Sequence, residues 1–231
     1  MEIERTHGSV ARSLSKLKSF ACDPFSLAAA VTTKLRTIWM ASTYPFARFG
    51  RRVSIHYSAD ILRSASNRIC IGDYVYIARE TWLNVPEPAV NAPPVIILGD
   101  GCKIGRRCVI SAKNLVHIGA DVMLGPSVLI TDHSHEFSNL DTPIHAQGLT
   151  AGGNVFIEQN CWLGRGAAIV CTSGDLLIGR NSVIGANSVV THNVPPFSVV
   201  VGNPARIVRR YSPESMEWIK VVSSCDGSPG S

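Results

Sequence analysis

A chain of 231 residues, 45% hydrophobic and 17% charged, has room for one sizeable core and is too apolar for a disordered polymer. No apolar run approaches the ~20 residues of a membrane span, and Met1 to Leu17 lacks the apolar stretch of a secretory leader, so the expected address is the cytoplasm. The net charge of +5 is modest, and with no zinc finger, RNA-binding signature or basic run interleaved with aromatics, nucleic acid is not an expected partner.

Residues 1–50 form a segment apart. They carry Arg5, Arg12, Lys16 and Lys18 and show none of the periodicity that follows. Within them Leu27 to Met40 reads as an amphipathic helix with Lys34 and Arg36 on its polar side. Its expected role is to cap an exposed strand edge, with peripheral contact to a membrane surface as the alternative.

From residue 51 to 211 the chain keeps a beat of six. A degenerate turn begins at Ile55 and Ile61; then come Ile71, Ile77 and Leu83, Leu98, Ile104 and Ile110, and Ile118, Leu124 and Ile130. After a break it resumes with Ile157, Leu163 and Ile169, then Ile178, Ile184 and Val190. Glycine often follows the aliphatic directly, where it is expected to ease a turn. Four positions on, the residue is small or β-branched, as at Val75, Thr81, Cys102, Cys108, Ser134, Cys161, Ser173 and Ser188. Cys102, Cys108 and Cys161 therefore read as small buried hydrophobes, not as a disulfide framework.

A period of six is neither helical nor a simple strand alternation. It returns every sixth residue to an equivalent place, as in a three-sided coil of stacked parallel strands. The expected fold is all-β: a left-handed parallel β-helix of hexapeptide repeats, with helical segments at both ends. The second of these is residues 212–231, with Ser212 as N-cap and Pro213 opening a helix that runs to Val221.

Two insertions interrupt the beat. Val85 to Val95 holds Pro86, Pro88, Pro93 and Pro94 and must loop out. The longer one, from about Asp132 to Asn154, carries Asp132, His133, His135, Glu136, Asp141 and His145. Loops thrown from a rigid coil are where function concentrates.

Over roughly residues 53 to 211 the sequence resembles the hexapeptide-repeat acyltransferases, in particular the maltose, galactoside and colanic acid O-acetyltransferase branch. The resemblance is carried by the repeat, by Thr131-Asp132-His133-Ser134-His135-Glu136-Phe137-Ser138, and by Val201-Gly202-Asn203-Pro204-Ala205-Arg206 after Val194-Pro195-Pro196. It implies transfer of an acyl group from acetyl-coenzyme A to a hydroxyl of a sugar or polysaccharide precursor. It also implies a homotrimer with active sites between adjacent coils, and no metal requirement.

The family's catalytic histidine lies five residues after an inward aliphatic. Counting from Ile130 this is His135, with His133 in reserve. A neutral imidazole suits the task, since it can take the hydroxyl proton as oxygen attacks and return it to the departing thiolate. Asp132 or Glu136 are candidates to orient the ring. Backbone N–H groups near Gly125 or Gly164 are candidates to stabilise the oxyanion. By the same resemblance Trp162, Gly164 and Arg165 follow the pantetheine arm, Ala186, Thr191 and His192 match a small residue and a Thr-Lys pair, and Arg206 faces the adenine and phosphate end. His192 replaces the family's lysine, Arg165 a small residue and Glu158 a turn glycine. A γ-type carbonic anhydrase, with zinc on three histidines, and a catalytically inactive trimeric scaffold are the alternatives.

Overall fold

Inward aliphatics spaced by six leave room for only two or three extended residues before the chain must turn, so the strands are short. The computed structural model describes residues 23–87 and 92–221. Arg5, Arg12, Lys16, Lys18 and Pro88 lie outside the described residues. One α-helix, α1 (Pro24–Thr43), precedes the strands and spans the predicted Leu27–Met40.

The first coil runs through β1 (Arg48–Phe49), β2 (Ser54–Ile55) and β3 (Asp60–Ile61), and the second through β4 (Ile69–Ile71), β5 (Tyr76–Ile77) and β6 (Trp82–Asn84). The third comprises β7 (Ile96–Leu98), β8 (Lys103–Ile104) and β9 (Val109–Ser111), and the fourth β10 (Leu115–Ile118), β11 (Met123–Leu124) and β12 (Leu129–Thr131). The fifth holds β13 (Gly152–Ile157), β14 (Trp162–Leu163) and β15 (Ala168–Val170), and the sixth β16 (Ser173–Ile178), β17 (Val183–Ile184) and β18 (Val189–Val190). A last strand, β19 (Ser198–Val201), lies parallel on β17. Every third strand pairs in parallel with the next, giving three faces: β1 to β16, β2 to β19 and β3 to β18.

The beat sets the core. All fifteen inward aliphatics from Ile71 to Val190 are buried, as are Ile55 and Ile61 of the first coil. They stack in register, for example Leu83, Ile110, Ile130 and Ile169 on the third face. Each contributes about 1.5–3 kcal/mol of burial. Of the small residues four places on, Cys102, Cys108 and Cys161 are buried, and each thiol donates to a corner carbonyl of the next coil. Burial pushes Cys102 and Cys108 up to about 11. Ser134 and Ser173 are not buried, because the chain leaves the coil before one and widens a strand at the other.

The glycine after the aliphatic has a different cause from the one expected. The left-handed backbone falls two residues later, at Tyr74, Arg107, Asp121, Ser127, Asn181 and Asn187 among others. The glycine itself is needed for close approach: a Cβ on Gly164 would sit 2.7 Å from the backbone nitrogen of Ala186 in the coil above.

The two ends are closed differently. Helix α1 lies over the first coil, with Met40 buried and the Thr37 hydroxyl accepting from Ile55 N–H at 3.0 Å. Arg36 donates to the carbonyls of His56 and Tyr57. The helix predicted at Pro213 to Val221 is a correction. The chain there forms β20 (Arg206–Ser212), antiparallel on β19, and β21 (Glu217–Lys220), antiparallel on β20. Side-chain contacts override the local cap signal: Tyr211 meets both Phe197 and Trp218, so Pro213 serves a turn. No helix among the described residues is long and apolar enough to cross a membrane.

Candidate active site

Three edges join the faces: the first between faces one and two, the second between two and three, the third between three and one of the next coil. The long insertion leaves the third edge after β12, and the Pro-rich one after β6. The long loop is held by a short antiparallel neck in which Thr150 N–H donates to Ser134 O at 2.9 Å and Glu136 N–H to Gly148 O at 3.0 Å.

Asp132, the first residue of that loop, is fully buried. Its carboxylate accepts from the N–H groups of Lys113 (2.9 Å), Asn114 (2.8 Å) and Leu115 (2.8 Å), which belong to the coil below. The remaining valence faces His133, whose Nδ1 lies 2.7 Å from Asp132 Oδ1. His133 is buried to within 9% of its surface, and its Nε2 lies 3.5 Å from Ser111 Oγ. Asn84 donates to that hydroxyl at 2.9 Å. With Nδ1–H donated to Asp132, Nε2 carries the lone pair, the form a general base needs.

His135 is placed otherwise. It is exposed, its backbone bridges Leu149, and its side chain has no hydrogen-bond partner among the described residues. Glu136 orients no ring: its carboxylate caps Phe137 and Ser138, whose hydroxyl and N–H hold it below the usual carboxylate range. The two histidines thus differ in setting: His133 is buried on a fixed carboxylate, and His135 stands exposed.

Residues that sequence reasoning missed surround the dyad. Lys113 Nζ donates to Thr150 O at 2.8 Å and Asn114 Nδ2 to Ala151 O at 2.9 Å, clamping the returning loop. Gly152, at φ 78°, packs so closely that a Cβ would meet Asp132 O at 2.7 Å. A signal existed for Asn84, Ser111 and Thr131: each directly follows an inward aliphatic on the third face, and the three stack in register.

The coenzyme-side candidates are spread over two edges. Gly125, Gly164, Arg165 and Ala186 lie on the second edge, with Trp162 exposed just before it. Thr191 and His192 lie on the third edge, two coils above Asp132, with Thr191 Oγ1 and His192 Nδ1 2.9 Å apart. Arg206 opens β20 opposite Val201. The N–H groups of Gly125 and Gly164 are not free for an oxyanion, because both donate within the ladder, to Leu163 O and Ile184 O at 2.7 Å. The neighbouring Arg165 N–H has no acceptor among the described residues. Within one chain the third face separates His133 from Gly125, Trp162 and Arg165.

Among the described residues no three His, Cys, Asp or Glu side chains are grouped to hold a metal. No family model matches the chain. A galactoside O-acetyltransferase of Escherichia coli is 32% identical over 145 residues, 58% of this chain and 66% of that one. The chain is a homologue of the hexapeptide-repeat acyltransferases. A second E. coli relative, provisionally named a lipopolysaccharide biosynthesis O-acetyl transferase (WbbJ), is 30% identical over 132 residues, 54% of this chain and 66% of that one. A galactoside O-acetyltransferase of Lactococcus lactis is 36% identical over 95 residues, 41% of this chain and 43% of that one. The chain thus spans about two thirds or less of the length of these curated acyltransferase relatives. A solved variant of AntD, an N-acyltransferase from Bacillus cereus in complex with dTDP-4-amino-4,6-dideoxyglucose and coenzyme A, has the same fold, with TM-score 0.61 at 19% identity over 79% of this chain and 90% of that one.

Proposed function

We propose that this protein transfers an acetyl group from acetyl-coenzyme A to a hydroxyl of a sugar or polysaccharide precursor, with Asp132 and His133 as its base unit. The observation that carries this reading is the buried imidazole held by its Nδ1 on a fixed carboxylate, with Nε2 directed at Ser111. His133 Nε2 takes the proton of the acceptor hydroxyl as its oxygen attacks the thioester carbonyl. The tetrahedral oxyanion is stabilised by a backbone donor, for which Arg165 N–H is the nominee. Collapse expels the coenzyme thiolate, which recovers the proton from His133. Asp132 stays ionised and steadies the imidazolium. No covalent enzyme intermediate or metal enters the scheme.

Coenzyme A, a co-substrate, is assigned to Trp162, Gly164, Arg165 and Ala186, with Thr191, His192 and Arg206 toward its nucleotide end. The coil is read as left-handed and the assembly as a homotrimer. A second copy then brings its second edge to the first copy's His133, which meets the separation of the two candidate sets within one chain. Acetyl transfer to sugars is named for the galactoside O-acetyltransferase relatives, which supports the acceptor class. The test is thiol release from acetyl-coenzyme A over a panel of sugars: H133A abolishes it and H135A retains it. Mixing H133A with W162A subunits restores up to about a third of the sites if each site spans two chains. Full turnover by H133A would defeat the assignment.

A further inference from the structure

The corners of the first and second edges are built from the same backbone, yet they are electrostatically unlike. On the first edge every cation among the described residues has a partner: Arg51 pairs with Asp73 at 2.9 Å, Arg48 lies 3.5 Å from both Asp73 and Asp100, and Arg52 and Arg180 lie over the rings of Tyr74 and Phe197. Three of the corner N–H groups there are capped by carboxylates, Arg51 by Asp73, Asp73 by Asp100 and Arg180 by Glu158, while those of Asp100, Ala120 and Gln159 have no acceptor among the described residues. On the second edge the equivalent corner residues are Arg79, Arg106, Pro126, Arg165 and Ala186, stacked through Arg107 N–H to Arg79 O, Ser127 N–H to Arg106 O and Asn187 N–H to Arg165 O. Arg79, Arg106, Arg107 and Arg165 are exposed, and none forms an ion pair or ring contact among the described residues. Glu80 is the one acidic residue at these corners, and its carboxylate pairs with none of them. The corner N–H groups of Arg79, Arg106, Arg165 and Ala186 likewise have no acceptor among the described residues.

Stacking like charges one coil apart, about 4.8 Å, works against the fold. The field is felt locally: His56, at the foot of this edge, is held toward its neutral form by burial and then by Arg79, with Arg36 adding to it and Glu80 opposing. A column of guanidinium groups and unused N–H donors is the complement of an anion. Exposed rings flank its lower part, Tyr76 before Arg79 and Trp82 after it, and these suit the apolar faces of sugars.

Register fixes the height of this column relative to the chemistry. His133 follows β12 in the fourth coil, level with Gly125 and Pro126. The coenzyme candidates Trp162, Arg165 and Ala186 lie above that level, in the fifth and sixth coils. Arg106 and Arg79 lie one and two coils below it, about 5 and 10 Å. We propose that Arg79 and Arg106, with Tyr76 and Trp82 beside them, form the acceptor subsite and select a sugar bearing a phosphate below the reacting hydroxyl. This rests on the acetyl-transfer reading and on the pairing of edges between copies.

The test is calorimetric titration of inorganic pyrophosphate into the full chain saturated with coenzyme A, so that the coenzyme's own phosphate contacts are occupied. Binding is expected, weakened at least about tenfold in R79Q/R106Q and unchanged in R51Q, whose guanidinium belongs to the first edge. Absence of binding, or equal affinity in wild type and R79Q/R106Q, overturns the proposal. A second arm compares acetylation of a methyl glycoside, the matching sugar 1-phosphate and the nucleotide diphosphate sugar. Preference for either phosphorylated form, lost in R79Q/R106Q with the KM for acetyl-coenzyme A intact, supports it and tells a single phosphate from a diphosphate; equal use of all three overturns it. Failure of coenzyme A itself to bind strikes the acetyl-transfer reading instead, and removes the acceptor role even where pyrophosphate still binds.

Discussion

Replacing Asp132 by asparagine separates the electrostatic role of this side chain from its shape. The carboxylate accepts four hydrogen bonds, Lys113 N–H and His133 Nδ1–H on Oδ1 and the N–H groups of Asn114 and Leu115 on Oδ2. An asparagine offers one acceptor oxygen and an NH₂ group that can only donate. Keeping its oxygen on Asn114 and Leu115 turns the NH₂ toward Lys113 N–H and His133 Nδ1. Lys113 N–H then loses its acceptor in a buried place, at a cost of about 1–3 kcal/mol. His133 must present Nδ1 as acceptor, which moves its proton to Nε2 and removes the lone pair that would take the hydroxyl proton. The expected result in D132N is a fall in kcat of about 10²–10⁴, the usual contribution of a positioned base. Its Tm should drop about 2–4 °C for each kcal/mol lost. H133A removes the base but orphans no backbone donor, so it should lose comparable activity with a smaller change in Tm. The double variant D132N/H133A should be no slower than H133A, because the two residues act as a unit. Thiol-release kinetics and thermal melts read all three. D132N turnover within about threefold of wild type, together with an inactive H135A, would refute the reasoning and return the role to His135.

Three further outcomes follow from the same geometry. G152A drives a Cβ against Asp132 O at 2.7 Å and against a backbone already at φ 78°, so activity should fall by about tenfold or more with at most a few degrees lost in Tm, read by kinetics and melting. G164A forces apart two coils at a 2.7 Å approach to Ala186 N and should cost about 1–3 kcal/mol in denaturant unfolding; a neutral result would mean that the coils can shift freely. Cys102 and Cys108 have thiols raised by burial to about 11, so the unfolded chain ionises first and stability is intact below the unfolded thiol pKa of about 8.5 and falls as pH rises toward 11. C102A/C108A should show a shallower decline in Tm between pH 8 and 10.5 than wild type, and an identical slope would rule these thiols out as the source.

The coil was legible in the sequence because its signal is redundant: each inward aliphatic is repeated on all three faces, and the missing side chain after it recurs at the same phase. The C-terminal end was not, because Ser212-Pro213 is an equally good helix start and turn, and the decision belongs to Tyr211, Trp218 and Phe197, which meet only after β20 folds back. The chemistry of the loop was legible as residue types. The difference in setting between its histidines was not, since the groups that fix Asp132 come from Lys113, Asn114 and Leu115, 17 to 19 residues earlier and one coil below. Reading down the stack, Thr131 over Ser111 over Asn84, would have pointed to that edge where reading along the strand did not. The glycine rule was correct as a pattern and wrong in cause, because the left-handed corner is two residues further on and tolerates Arg107 or Ser127 as well as asparagine.

A coil that repeats one backbone at every level cannot distinguish its levels by fold, so any specificity must come from departures at the corners. On the first edge those departures leave the guanidinium groups matched, by carboxylates or by aromatic rings. On the third edge they converge, with a buried acid, an imidazole and a serine brought into line by two neighbouring coils. On the second edge they accumulate without cancellation among the described residues, as unpaired arginines and N–H groups with no acceptor. The proposed base on one edge and the proposed anion subsite on another, divided by a packed face, would serve a single reaction only where edges of two copies meet. If the protein assembles as proposed, complementation between H133A and a second-edge variant discriminates sharply: each homogeneous assembly would lack the same half of every site, and only a mixed one would hold both halves at one junction.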